Sequence, residues 1–250
     1  MTILHEDVTT QSLHLSANYS WHDSESDCTI VVSQPHADPN LWTDYLAGAQ
    51  RSYHKYGVDA ALDWDEIADG SGTALFFAAV DSSGKVVGGV RAKEPYDDAE
   101  ESHAVVEWEG QPGLDTVRKM INDRIPFGLS EMKTAWVSDD PGSSRVLTTT
   151  LARTAMHTMA LLDIQFIMAT AAAHVLDRWR SSGGVVVSRV PATPYPDERY
   201  RTKIMFWDRR TYTKHAQPSQ VAKIVTEAAY LAPVTSGLRP VPATLGGVRL

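Results

Sequence analysis

The sequence predicts an α/β fold whose mixed, mostly antiparallel central sheet is flanked by helices, and three observations carry that prediction. Residues 73–80 (TALFFAAV) and 85–91 (KVVGGVR) are apolar runs joined by Asp81-Ser82-Ser83-Gly84, which is hairpin turn chemistry. Residues 131–137 (EMKTAWV), a small-residue loop, a long helical pattern from about 145 to 162 and the apolar run 164–169 make a β-loop-α-β unit. A length of 250 residues with 43% hydrophobic and 22% charged residues suits one such domain with terminal extensions and excludes a disordered chain. A hairpin followed by a β-α-β unit gives one sheet with helices packed on it.

The elements follow in order. Residues 1–27 are polar and acidic and read as an arm that packs onto the domain or stays mobile. Residues 28–33 (CTIVVS) are a strand, ended by Pro35 and Pro39. From Asn40, Leu41, Trp42, Tyr45, Leu46, Ala49 and Tyr53 recur at three- and four-residue steps, a helix stopped by Gly57. After the hairpin, 94–103 is an acidic loop, 104–108 a short strand and 114–125 a helix with Leu114, Val117, Met120, Ile121 and Ile125 on one face. Beyond the β-loop-α-β unit, 172–182 reads as a helix ended by Gly183-Gly184, and 185–190 and 202–207 as strands around a Pro-rich stretch. Residues 219–231 read as a helix and 232–250 as coil. The domain therefore spans 28–210, between the arm at 1–27 and a C-terminal extension at 211–250.

Charge narrows the function classes. The net charge is −8. Residues 1–50 carry Glu6, Asp7, Asp23, Glu25, Asp27, Asp38 and Asp44 with no Lys or Arg, whereas from Arg199 onward the bases dominate. That balance argues against a general nucleic-acid binder and leaves a local basic surface for an anionic partner. A lone Cys28 excludes a disulfide framework and a cysteine zinc cluster, and no paired-His spacing points to a metal. The start has no basic and apolar signal pattern and no apolar run is long enough to span a bilayer, so a soluble cytoplasmic protein is expected.

The succession of elements from 28 to 207 resembles the GNAT acyltransferase superfamily. In that family a strand ends in a loop whose amides grip the pyrophosphate of an acyl-coenzyme A, and the next helix turns its N-terminus toward it. The corresponding parts here are the 131–137 strand, the loop Asp139-Asp140-Pro141-Gly142-Ser143-Ser144 and the helix from Arg145. A small-residue turn opening a helix is an anion site on general grounds, because first-turn amides lack partners and the dipole favours negative charge. The nearest pattern is the branch of acyl-homoserine-lactone synthases and long-chain N-acyl amino acid synthases. Gly88-Gly89-Val90-Arg91 matches the G-x-x-R of their hairpin strand. Their E-x-x-R-x-x-V strand keeps its Glu and Val here as Glu131 and Val137, with Thr134 in place of the Arg. Lys133 is not expected to replace that Arg, because neighbouring residues of a strand face opposite sides.

The resemblance implies an N-acyltransferase that moves an acyl group from a thioester to a small-molecule amine by direct transfer in a ternary complex. Its co-substrate is acyl-CoA or acyl carrier protein, with no metal. Glu131 is the expected catalytic base, a surface Glu at a strand start being the alternative. Arg91 is expected to bind a substrate carboxylate or phosphate, or else to make a structural ion pair. Val137, Gly142, Ser143, Ser144 and Arg145 are the expected donor-binding residues, although Ser143 or Ser144 also suits an N-cap and Arg145 also suits pairing with Asp139 or Asp140. Trp179 stands four residues before Gly183, where many GNAT acetyltransferases have a Tyr acid.

Trp136 and Trp179, with Trp108 and Trp207, are either an apolar acyl tunnel or core. His157 and His174 read as structural. His103, Glu107 and Glu109 alternate on the expected 104–108 strand and would meet a polar substrate. The basic run Arg199, Arg201, Lys203, Arg209, Arg210 and Lys214 either docks an acidic carrier protein or protects a solvated edge strand. Two further readings stay open: a non-catalytic module of this fold that binds an acyl thioester or other lipid-like ligand, and a conventional acetyl-CoA-dependent acetyltransferase.

Overall fold

A computed structural model describes residues 13–139 and 144–236, with Ser144 described in its backbone alone. The strands are β1 (Tyr19–Asp23), β2 (Cys28–Ser33), β3 (Thr73–Val80), β4 (Val86–Lys93), β5 (Leu129–Val137), β6 (Phe166–Ala172), β7 (Val185–Val186) and β8 (Thr202–Asp208). They form one eight-stranded sheet in the order β1-β2-β3-β4-β5-β6-β8-β7. Every pairing is antiparallel except β5 with β6, as the hairpin and the β-loop-α-β unit require.

The helices are α1 (Pro39–Lys55), α2 (Trp64–Ile67), α3 (His103–Glu107), α4 (Leu114–Asn122), α5 (Ser144–Ala152), α6 (Thr154–Leu161), α7 (Leu176–Arg180) and α8 (Pro218–Thr235). The Asp38 side chain caps α1 by accepting from the Leu41 N–H, and Pro39 occupies the first turn, where no N–H is missed. Strand alternation sorts the core onto two faces. Ile167 and Ala169 of β6 join Leu147, Leu151 and Met159 of α5 and α6 on one face. Met168 joins Val105, Val117 and Ile121 of α3 and α4 on the other, where Trp42, Tyr45 and Ala49 of α1 cover β3 and the end of β5.

Several local expectations change. Residues 104–108 are not a strand: α3 forms there because the Ser102 hydroxyl accepts from the Ala104 N–H and starts a helical turn, overriding the β preference of Val105 and Val106. The 145–162 pattern is two helices, broken where the Arg153 N–H bonds the Thr150 carbonyl in a tighter turn. Of the 185–190 run, Val185 and Val186 form the strand paired with β8, and the Val187 N–H bonds the Ile204 carbonyl. Within the acidic arm, Tyr19–Asp23 adds an edge strand whose Trp21 enters the core.

At the arm and α8 a buried polar knot ties distant segments together. Arg153, 1% exposed, donates to Asp23 Oδ1 at 2.6 Å and to the Glu227 carboxylate at 2.8 and 3.1 Å. Gln220 accepts from the same guanidinium, and His157 Nε2 lies 2.8 Å from Glu227. His157 is structural, as the sequence suggested. Among the described residues no helix is long and apolar enough to cross a membrane.

Candidate active site in the split between two parallel strands

The β5–β6 ladder runs only from Leu129↔Phe166 to Glu131↔Met168, although β5 continues to Val137 and β6 to Ala172. Beyond Glu131 the two strands part. The gap is a cavity of about 670 Å³ through the sheet, lined by residues 132–139 of β5 and its following loop and by 169–172 of β6. Helix residues close it on both faces: Ser52, Tyr53, Tyr56 and Glu107 on the α1–α3 side, Thr148, Leu151, Arg178 and Trp179 on the α5–α7 side.

A bulge in β5 shapes the wall. Arg91 pairs with Lys133 and Gly89 with Trp136, so β5 has one residue more than β4 between these pairs. The extra residue lies at Thr134, a non-glycine at φ +54°. Two bonds hold that conformation. Tyr45 donates to the Thr134 carbonyl at 2.7 Å, and Arg91 Nε donates to its hydroxyl at 3.2 Å. The remaining Arg91 nitrogens hold Thr73 and Glu66. The bulge also breaks the two-residue alternation: Lys133 and Trp136 both reach the α1–α3 side, and Thr134 turns to Arg91 beside them. The expectation that residues 133 and 134 face opposite sides is therefore corrected.

The polar end of the cleft gathers at α3. Glu107, with its side chain 1% exposed, accepts at Oε1 from Lys133 Nζ at 3.0 Å and from the Thr170 hydroxyl at 2.7 Å. Its Oε2 is buried without a partner among the described residues. Burial raises the Glu107 pKa, against the pull of Lys133. Burial disfavours the Lys133 ammonium, but Glu107 and Glu131 outweigh it and hold that group above the usual lysine range. One turn earlier, His103 Nε2 lies 2.7 Å from the Tyr195 hydroxyl. Burial and the nearby Lys133 and Lys93 push His103 down to about 3, so its ring is neutral near pH 7. Burial pushes Tyr195 up to about 12, so it stays protonated.

Glu131 is fully buried and stands outside the cavity lining. Its Oε2 accepts from Tyr96 at 2.6 Å, the His103 N–H at 3.1 Å and Ser102 at 3.3 Å, which fixes the start of α3. Arg91, 1% exposed, also lies outside the lining and supports the bulge. Trp136 and Trp179 line the cavity, whereas Trp108 and Trp207 are core. Trp136 Nε1, like Glu107 Oε2, is buried without a partner among the described residues.

At the C-terminal end of β5, Val137 lines the cavity and Arg145 is exposed in the first turn of α5. Gly142 and Ser143 lie outside the described residues. Asp139 pairs with Lys55 at 2.7 Å and Tyr56 at 2.9 Å, bonds that hold its carboxyl below the usual range. Arg178 reaches the lining with no carboxylate partner among the described residues. Sequence reasoning missed Tyr53, Thr170, Arg178, Tyr195 and Tyr200. The His103–Glu107 spacing of four was the legible signal, hidden by reading the segment as a strand.

A mixed sheet split between two parallel strands, a bulge on the first and a helix opening beyond it define a GNAT-fold protein. The chain is similar to FeeM, an N-acyl amino acid synthase from uncultured soil microbes, with TM-score 0.54, 11% identity and coverage of 78% of this chain and 97% of that one. It is also similar to BjaI, a CoA-dependent acyl-homoserine lactone synthase solved with SAM and isopentyl-CoA, with TM-score 0.50, 16% identity and coverage of 79% and 88%. These likenesses establish the fold. In sequence the chain is 52% identical over 240 residues to Uncharacterized protein Rv1356c of Mycobacterium tuberculosis, covering 96% of this chain and 91% of that one, and it belongs to that protein's family. No protein-family model matches the sequence.

Proposed function

We propose that the chain is an N-acyltransferase that moves an acyl group from a thioester, acyl-CoA or acyl carrier protein, to a small-molecule amine held in the same cleft. The observation that carries this reading is the Glu107 carboxylate: buried in the wall of the cleft, oriented by Lys133 and Thr170, and bare at one oxygen. The names of the structural neighbours support it, FeeM being an N-acyl amino acid synthase and BjaI an acyl-homoserine lactone synthase.

Glu107 Oε2 takes one proton from the acceptor ammonium, leaving a neutral amine. The nitrogen lone pair forms a C–N bond at the thioester carbonyl, and the carbonyl pair becomes an oxyanion. Donors for it are the β5 backbone amides beyond the bulge and the Trp136 indole N–H. Collapse breaks the C–S bond. The departing thiolate takes the second nitrogen proton, so the products are an amide and a thiol, with one proton passed from Glu107 to solvent. Arg178 and the first turn of α5 supply positive charge for the donor's phosphates, and Trp179 an apolar wall for the thioester arm. Glu131 and Arg91 act at one remove: Glu131 fixes the start of α3, and Arg91 fixes the bulge.

The test is thiol release from acetyl- and long-chain acyl-CoA, and from acyl carrier protein, across an amine panel, with the Glu107→Gln and Glu131→Gln variants as controls. Acceptor-dependent release lost in Glu107→Gln is the expected result. Thioester binding with no release on any amine would make the chain a binding module of the same fold.

A further inference from the structure

We infer that the acceptor is a primary ammonium with no carboxylate beside the reacting nitrogen, rather than an α-amino acid. This inference rests on the acyl-transfer reading above for the role of the bound amine, but the ligand class follows from the cleft itself.

The α1–α3 side of the cleft is lined by Tyr53, Tyr56, Trp136, Tyr195 and Tyr200 together with Glu107. A buried carboxylate oxygen without a donor is costly, and an ammonium supplies both the N–H and the opposite charge. Aromatic faces accept a cation at little desolvation cost. Amine recognition is therefore built in.

Recognition of a carboxylate is not. Holding a carboxylate in a buried site takes a cation or several converging donors. On this side, Lys133, Lys55 and Arg199 already serve acids. Lys133 is on Glu107 at 3.0 Å, Lys55 on Asp139 at 2.7 Å and Arg199 on Asp197 at 2.7 Å. Behind the wall, Arg91 and Lys93 are both on Glu66, at 3.3 and 3.0 Å. His103 adds no charge, because its ring is neutral. Trp136 Nε1, buried without a partner among the described residues, is a single neutral N–H, enough for a carbonyl oxygen and short of what a carboxylate requires. Arg178, which has no acid partner among the described residues, is on α7 at the opposite face of the sheet. A carboxylate two bonds from the nitrogen that meets Glu107 would lie against Glu107 itself, a like-charge repulsion.

Phenethylamine and phenylalanine differ only by that carboxylate and test the inference on the full-length protein. Binding is measured by calorimetry and thermal shift, and turnover by thiol release with acyl-CoA. Phenethylamine should bind at least ~10-fold more tightly than phenylalanine, the scale of one charge-assisted hydrogen bond. Glu107→Gln, with its fold checked by circular dichroism, should remove most of that preference. Phenylalanine binding as tightly or more tightly overturns the inference, and so does binding of neither. Phenethylamine binding selectively while no thioester releases thiol supports the ligand class and overturns acyl transfer, so the two claims fail separately.

Discussion

Gly48 sits in the middle of α1 on its buried face, and replacing it by Ala sets two effects of opposite sign against each other. Helix propensity favours Ala over Gly by about 0.8–1.0 kcal/mol. An added Cβ, however, would overlap Cη2 and Cζ2 of the Trp136 ring and lie 2.9 Å from its Cε2. Carbon atoms rest at about 3.5–4.0 Å, so the indole must retreat by about 1 Å or more. Tyr45 packs on that ring with centroids 6.3 Å apart, and the free direction is the cleft that Trp136 lines. Forcing such a shift costs about 1–3 kcal/mol, which leaves a net loss of up to about 2 kcal/mol. At about 2–4 °C per kcal/mol for a domain of this size, the melting temperature should fall by as much as ~8 °C. Differential scanning calorimetry measures that fall, and a shift in tryptophan emission reports the moved ring. The displaced indole narrows the cleft, so the KM for acceptor should rise. A melting temperature that increases by ~2–4 °C, the propensity gain alone, would refute the packing of Trp136 on Gly48.

The remaining predictions concern the two ends of the cleft and the buried knot behind the sheet. Glu107 must be ionised to act as base, and burial raises its pKa above the ordinary 4.5, so the rate should climb with pH through a midpoint above that value. Glu107→Gln should flatten this limb and lower kcat by ~10²–10⁴-fold, read in pH-rate profiles of thiol release. Arg178→Gln should raise the KM for an acyl-CoA ~10- to 100-fold with kcat retained, as for loss of one charge-assisted bond to phosphate. Arg153→Met leaves Asp23 and Glu227 buried without their cation and should cost about 3–5 kcal/mol in urea unfolding. For Asp23, burial is outweighed by bonds from Ser26 and by Arg153; for Glu227, it is outweighed by His157 and Arg153. Both carboxyls therefore fall below their ordinary values of 3.8 and 4.5. Their contribution to stability is complete above those values and disappears as pH falls through the lowered ones, so the wild type should lose stability in acid more steeply than Arg153→Met.

The framework was legible because it rests on local periodicity. The hairpin from Thr73 to Lys93 announced itself by two apolar runs around Asp81-Ser82-Ser83-Gly84, and α1 by its three- and four-residue steps. Where one capping residue decided the outcome the reading failed: Ser102 turned a β-branched pair into the start of α3. That single change separated Glu107, in the cleft, from Glu131, in the wall behind it. A strand carrying Glu107 would have offered no reason to prefer it.

By itself the chain determined the order of its elements, the antiparallel sheet with one parallel step, and the charged and aromatic residues from which a site could be made. Those properties depend on neighbours a few residues apart, so the pattern of side chains encodes them directly. Only the tertiary structure decided which of those residues meet. The bulge at Thr134 depends on Arg91 and Tyr45 arriving from 43 and 89 residues away, and it alone brings Lys133 and Trp136 to one face. Glu107 gained its character in the same way. A carboxylate becomes a buried group with one bare oxygen only when Lys133, Thr170 and the parted strands enclose it, and no spacing along the chain specifies that enclosure.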